Sequence, residues 1–276
     1  MRNLLILAVV IVCLPRALGG QGVLVAPHAI YIDHQTRSES VQLYNPGTEP
    51  VEVSVSTAFG YPVTDSTGRP TLHMIESPDS TYPSASEWIQ AFPRRVTIPP
   101  RRRQTIRLLA RPPQNLEDGE YWTRLIIAAK GGQVPVSGVT ESDRIQVGLT
   151  LEVRTVIALS YRKGNVTTGL AVSNLRAQVV DDSLEIGLSL ERQGDGAFIG
   201  TLKWQLQNAE GKTQAESDVP LAVYYTLAPR LRFPVGKLPA GRYTLATELV
   251  SERDDLSSDV LLPIEPVRTA VLVVVP

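Results

Sequence analysis

The sequence predicts an all-β protein built as two sandwiches, and three observations lead there. Helical periodicity is nearly absent, while period-two segments rich in Val, Ile, Thr and Tyr recur between clusters of Pro, Gly, Asn and Asp. The chain of 276 residues is too long for one ordinary sandwich and comfortable for two of about 110–140 residues each. Charged residues make up 20% and hydrophobic residues 43%, a globular composition that excludes a disordered or fibrous chain. With 27 basic residues against 28 acidic ones, the chain has no long-range field to gather nucleic acid, which is therefore not an expected partner.

Taken in order, the N-terminus comes first. Met1-Arg2-Asn3, the apolar run Leu4 to Leu14 and the small-residue exit at Gly19-Gly20 have the form of a secretory signal peptide over residues 1–20. The run is too short to span a bilayer comfortably, and no later stretch reaches about 18 uninterrupted apolar residues, so no membrane span is expected. Cys13 lies inside the run, with Val12 before it a poor residue for a lipoprotein cleavage box. The mature chain then carries no cysteine, which rules out a disulfide staple, zinc-thiolate sites and a cysteine nucleophile.

Strands of the first half are expected near Val23 to Ile32, Glu39 to Tyr44, Pro50 to Phe59, Glu87 to Phe92, Gln104 to Ala110, Glu120 to Ala129 and Asp143 to Tyr161. Those of the second half are expected near Leu170 to Val180, Ser183 to Leu190, Ile199 to Gln207, Val219 to Tyr225, Arg230 to Phe233, Arg242 to Val250 and Val267 to Val275. Between Gly60 and Ser86 the chain is rich in Pro, Ser, Thr and Asp with little alternation, which reads as a loop or irregular hairpin. Arg162-Lys163-Gly164 opens a polar stretch, and the expected division is an N-terminal domain over 21–162 and a C-terminal domain over 163–276. Leu116 to Tyr121 and Leu238 to Tyr243 share the pattern Leu-x-x-Gly-x-Tyr, each ahead of a β-rich run. In immunoglobulin-like sandwiches a tyrosine at that place hydrogen-bonds back across the preceding corner, so both domains are expected to be immunoglobulin-like.

The segment Arg144 to Tyr161 alternates with unusual persistence. Ile145, Val147, Leu149, Leu151, Val153, Ile157, Leu159 and Tyr161 share one face, with only Thr155 interrupting. As one strand at about 3.4 Å per residue it would run roughly 55–60 Å, more than a single sandwich covers. Either part of it projects, offering an apolar edge to which another chain's strand can be added, or it bends and is shared by both sheets of its own domain.

Several stretches taken in order resemble the periplasmic chaperones that assemble pili through the chaperone-usher pathway. They are Leu43-Tyr44-Asn45-Pro46-Gly47 through Val51; Trp88 through Pro100 with Gln104 to Leu108; and the loop Ala128 to Ser142 with the alternating strand after it, ending Leu159-Ser160-Tyr161-Arg162. The resemblance covers most of residues 23–162, and the second half matches in class and size alone. It implies a non-enzymatic, ATP-independent periplasmic chaperone of pilus-like or other envelope subunits that lends a subunit the strand it lacks, with Ile145, Val147, Leu149, Leu151 and Val153 as the donated side chains. It also implies an outer-membrane usher as a further partner. The family's carboxylate anchor is an arginine on the first strand and a lysine near the end of the seventh, and those places hold Ala29 and Ala158 here. Arg154, Arg162 or Arg37 is left to substitute, or strand addition acts alone. The rival reading is a structural or adhesive envelope protein of immunoglobulin-like modules.

Other features weigh less. Arg94, Arg95, Arg101, Arg102, Arg103, Arg107 and Arg111 concentrate positive charge around one strand, as a groove for acidic polypeptide or as solvated turns and edges. His28, His34 and His73 lack metal-ligand spacing, no phosphate loop or catalytic set is present, and neither metal nor cofactor is expected. Asp181-Asp182 and Asp254-Asp255 read as turn residues rather than calcium ligands.

Overall fold

The computed structural model describes residues 22–131, 134–135, 148–149 and 151–275. The chain enters as β1 (Leu24–Ala26) and β2 (Ala29–Asp33), followed by β3 (Ser38–Tyr44), β4 (Val51–Thr64) and β5 (Pro70–Ile75). Next come β6 (Ile89–Phe92), β7 (Arg95–Ile98), β8 (Arg103–Ala110), β9 (Gly119–Lys130), β10 (Val134–Pro135), β11 (Gly148–Leu149) and β12 (Glu152–Lys163). One sheet runs β1-β3-β8-β6, and the facing one runs β2-β12-β9-β4-β5 with β7 also on β4. The first expected strand is thus two. Pro27 has no N–H to give a ladder, and the chain changes sheet there: β1 pairs antiparallel with β3, while β2 lies parallel to β12.

Inward-facing residues of the two sheets, among them Ile32, Leu43, Ile106, Leu108, Leu125, Ile127, Leu159 and Tyr161, close the first core. At its rim Asn45 is fully buried. Its amide donates to the carbonyls of Glu49 (2.8 Å) and Ile98 (2.9 Å), and its side-chain oxygen accepts from the Gly47 N–H (2.9 Å). The Asn-Pro-Gly turn is therefore tied to the end of β7, a strand too short and too Arg-rich to stand out in the sequence.

After β12 the chain turns through Gly164, at φ +70°, into β13 (Thr168–Val180). It continues as β14 (Ser183–Gly194), β15 (Phe198–Asn208), β16 (Thr213–Val223), β17 (Thr226–Leu227), β18 (Arg230–Pro234), β19 (Gly241–Val250), a single 3-10 turn at Ser258–Val260, and β20 (Val267–Val275). Their sheets are β13-β14-β17 with β18 on β14, and β16-β15-β19-β20. Asp181 and Asp182, both at positive φ, form the two-residue turn joining β13 to β14. The second core contains Leu184, Ile186, Phe198, Leu202, Trp204, Leu206, Leu245 and Leu249. Both tyrosine corners are present: the Tyr121 hydroxyl donates to the Glu117 carbonyl at 3.0 Å and the Tyr243 hydroxyl to the Pro239 carbonyl at 2.8 Å. These are two immunoglobulin-like sandwiches.

The Gly60 to Ser86 segment is more ordered than its composition suggests. β4 continues past the first sandwich and folds back as β5, pairing Phe59 with Ile75 through Thr64 with Pro70. The tip of this hairpin reaches the second sandwich, where the Arg230 N–H donates to the Gly68 carbonyl (2.9 Å) and the Ala228 N–H to the Thr64 hydroxyl (3.1 Å).

Candidate functional site

The sequence points at two places, the alternating strand and the anchor positions Ala29 and Ala158. Along β12 the inward row Ile157, Leu159 and Tyr161 is 5%, 1% and 0% exposed and belongs to the first core. Toward the N-terminus of the strand the same row leaves the core: Val153 is half-buried and Leu151 is 46% exposed. The hydrogen-bond ladders explain why. β9 accompanies β12 from Lys163 back to Glu152 and ends at Lys130, whereas β2 accompanies it only over Ala158 to Arg162. From Glu152 to Ile157 one backbone edge of β12 has no ladder partner among the described residues. Gly22 lies near the Val153 side chain, which a Cβ at that glycine would meet at 3.7 Å.

The described strand β12 is twelve residues long and begins at Glu152, with Leu151 just ahead of it. Leu149 lies in the separate two-residue ladder of β10 and β11, opposite Val134. Ile145 and Val147 fall outside the described residues.

Ala29 and Ala158, the two positions at which the resemblance places an anchor, are direct neighbours in the parallel β2–β12 ladder. Of the basic residues considered to stand in for them, Arg154 is 70% exposed and pairs with Glu152 at 2.6 Å, a contact that holds the Glu152 carboxyl below its usual range. Arg37 donates to the His34 carbonyl (3.0 Å) in its own turn. Arg162 lies at the seam of the sandwiches, in an ion pair with Glu120 at 3.2 Å. Glu120 is 2% exposed and also accepts from the Trp122 indole N–H (3.0 Å) and the Ser160 hydroxyl (2.7 Å). The other end of Arg162 donates to the Val260 carbonyl of the second sandwich at 2.6 Å, and its guanidinium covers the Tyr31 ring. Such a fully hydrogen-bonded buried pair fixes geometry more than it adds net stability.

Around this pair an aromatic seam joins the two sandwiches. Phe59 and Trp122 from the first pack with Ala197 and Tyr224 from the second, flanked by Tyr61, Tyr82 and Tyr225. Trp122 meets the Tyr224 ring edge-on at 4.8 Å, and Tyr61 meets Tyr225 in the same way at 4.7 Å. Burial raises the Tyr224 hydroxyl above its ordinary pKa and the Tyr225 hydroxyl to about 12, because the phenolate would lose its hydration in the seam.

Beside the seam is a cleft of about 240 Å³, lined by Ala29 and Ala158 together with Tyr31 and Tyr224. Arg124, a β9 residue that sequence reasoning missed, is in its wall. Its register partners are Ala158 on one side and Ala58 on the other, so a guanidinium stands one strand away from the two alanines. The one sequence signal for it is a charge directly ahead of the apolar run Leu125 to Ala129.

No protein-family model matches the chain, and no curated protein does. Solved structures do. The YadV chaperone is 15% identical, with 90% of this chain and 99% of that one covered at a TM-score of 0.48. The CupB2 chaperone of Pseudomonas aeruginosa is 11% identical, with 90% and 98% covered at 0.43. The CsuC-CsuE chaperone-tip adhesion subunit complex of Acinetobacter baumannii is 15% identical, with 91% and 97% covered at 0.43.

Proposed function

We propose that this protein is a periplasmic chaperone of pilus-like or other envelope subunits, working without chemistry by lending a client the apolar row Ile145, Val147, Leu149, Leu151 and Val153. The observation that carries the reading is the course of that row, which is core at Ile157 to Tyr161 and exposed at Leu151, just ahead of the Glu152 to Ile157 segment whose second edge has no ladder partner among the described residues. An apolar residue beside open N–H and C=O groups is what an added strand needs, because ladder bonds set register while alternate side chains fill the partner's groove. Four or five such side chains contribute about 1.5–3 kcal/mol each before ordering costs, enough for a stable complex. The two sandwiches then act as separate domains, 21–162 and 163–276, that hold the cleft between them. An outer-membrane usher and export through the signal peptide complete the reading.

The test compares wild type with Leu149→Glu and Leu151→Glu, purified from the native envelope after circular dichroism has shown each to be folded. Small β-rich secreted subunits should accompany wild type, vanish from the folded variants, and cross-link to a photoreactive residue placed at position 151. Identical partner lists, or a variant that unfolds with no client seen on wild type, would favour a structural or adhesive envelope protein.

A further inference from the structure

The seven arginines between Arg94 and Arg111 are exposed, and none of them is in an ion pair among the described residues. Arg94, Arg95, Arg101 and Arg102 lie on or beside the connections that lead from β6 through β7 into β8, and Arg111 follows β8. Arg103 and Arg107 project from the open face of the sheet β1-β3-β8-β6, on the side opposite the core residues Ile106 and Leu108. Register places Leu24, Tyr44 and Arg103 in one cross-strand row of that face and Ser40, Arg107 and Phe92 in another. Leu24 is 61% and Phe92 45% exposed, and the Arg103 guanidinium lies 5.8 Å from the centre of the Tyr44 ring. The only carboxylate of the four strands is Glu39, which stands in phase with the core residues Val41 and Leu43, so no outward position of this sheet carries a negative charge.

We infer that this face seats on a bilayer containing anionic phospholipid, with guanidiniums at the phosphate groups and Leu24 and Phe92 in the acyl boundary. In a chain of formal net charge -1, an acid-free face is a local attraction that orients the molecule, not a field that draws it from every side. Two features favour a bilayer over an acidic polypeptide. The arginines are spread over a four-stranded face and its adjoining turns instead of converging on one point, which fits a plane of charge better than a single carboxylate. Leu24 on one edge strand and Phe92 on the other flank the β8 arginines, and large apolar side chains beside snorkelling guanidiniums can bury hydrocarbon just below the headgroups. The inference goes beyond the chaperone reading and does not depend on it. The β12 edge from Glu152 to Ile157 belongs to the opposite sheet, so seating leaves it accessible.

The probes are vesicles of phosphatidylcholine alone and of phosphatidylcholine with phosphatidylglycerol as roughly a third of the lipid, sedimented with the full mature protein over a series of sodium chloride concentrations. The protein should sediment with the anionic vesicles, leave them as salt rises, and ignore the neutral ones. Arg103→Gln combined with Arg107→Gln should weaken the partition roughly tenfold or more with the thermal midpoint unchanged. Arg176→Gln combined with Arg230→Gln alters net charge equally, at exposed positions of the second sandwich, and should leave the partition as it was. Phe92→Trp should gain a fluorescence signal that acyl-brominated lipid quenches. Equal sedimentation with neutral vesicles, an unweakened Arg103/Arg107 variant, an equal loss in the Arg176/Arg230 variant, or an unquenched Trp at position 92 each overturns the inference. So does capture of soluble poly-glutamate by a protein that does not sediment with either vesicle, which would make the face a polypeptide site.

Discussion

Replacing Arg162 by methionine isolates the contribution of the buried pair at the seam. Methionine keeps most of the side-chain length but leaves the Glu120 carboxylate, on a side chain only 1% exposed, with the Trp122 and Ser160 donors alone, and frees the Val260 carbonyl. Removing one partner of a buried ion pair costs about 3–5 kcal/mol, because the remaining charge is neither hydrated nor neutralised. At roughly 2–4 °C per kcal/mol, the first-sandwich melting transition should fall by about 6–20 °C. The signal is tryptophan fluorescence, since Trp122 lies in the seam and Trp88 packs on Tyr161 in the first core. Adding Glu120→Gln to Arg162→Met removes the second charge while retaining an acceptor for Trp122 and Ser160, so the double variant should regain at least half of the loss. A single variant that loses less than about 1 kcal/mol, the scale of a surface pair, would refute the reasoning, as would a double variant less stable than the single.

Three further outcomes are expected. Asn45→Ala strands the Glu49 and Ile98 carbonyls and the Gly47 N–H, and urea unfolding should report a loss on the order of 3 kcal/mol; a loss under about 1 kcal/mol would show that water replaces the amide. Gly68→Ala puts a Cβ at φ +82° against the Arg230 backbone, so the hairpin tip should lift and the Arg230 amide should exchange its hydrogen faster, while amides of the second core keep their protection. The phenols of Tyr31, Tyr224 and Tyr225 have folded-state pKa values raised above the ordinary 10.0, chiefly by burial. Their contribution to stability is complete below pH 10 and is lost as pH rises above it, through about 12 for Tyr225, because the unfolded chain gives up those protons first. Phenolate absorbance should show three tyrosines that ionise only with unfolding, and Tyr225→Phe should lessen the alkaline destabilisation; free titration of all nine tyrosines near pH 10 would contradict the burial.

Much of the fold was legible because sandwich strands announce their inward positions. Ile30, Val41, Leu43, Ile106 and Leu108 alternate in the sequence as they do in the core, and both Leu-x-x-Gly-x-Tyr segments became tyrosine corners. β16 was read only from Val219 because Thr213 to Asp218 alternates polar with more polar residues, and β7 is four residues with an arginine at its start. The alternating run was right in phase over Val153 to Tyr161, where β9 supplies its ladder as far as Lys130, and its first part lies mostly outside the described residues. The seam was invisible for a different reason. Glu120, Arg124, Ser160 and Arg162 occupy outward positions of their sheet, where polar residues normally signal solvent. Which outward face is covered depends on how two sandwiches meet, and no period within one strand encodes that.

The course of β4 has a mechanical consequence. Its fourteen residues, about 45 Å at the rise of an extended chain, begin in the core of the first sandwich, and the hairpin they enter ends on the second. The angle between the halves is thus held by a strut belonging to one of them, and the covalent joint at Gly164 to Thr167 has little steering to do. Lengthening that joint by a residue or two should leave the posture of the molecule almost unaltered, whereas cropping the strut would turn a rigid bracket into a loose hinge.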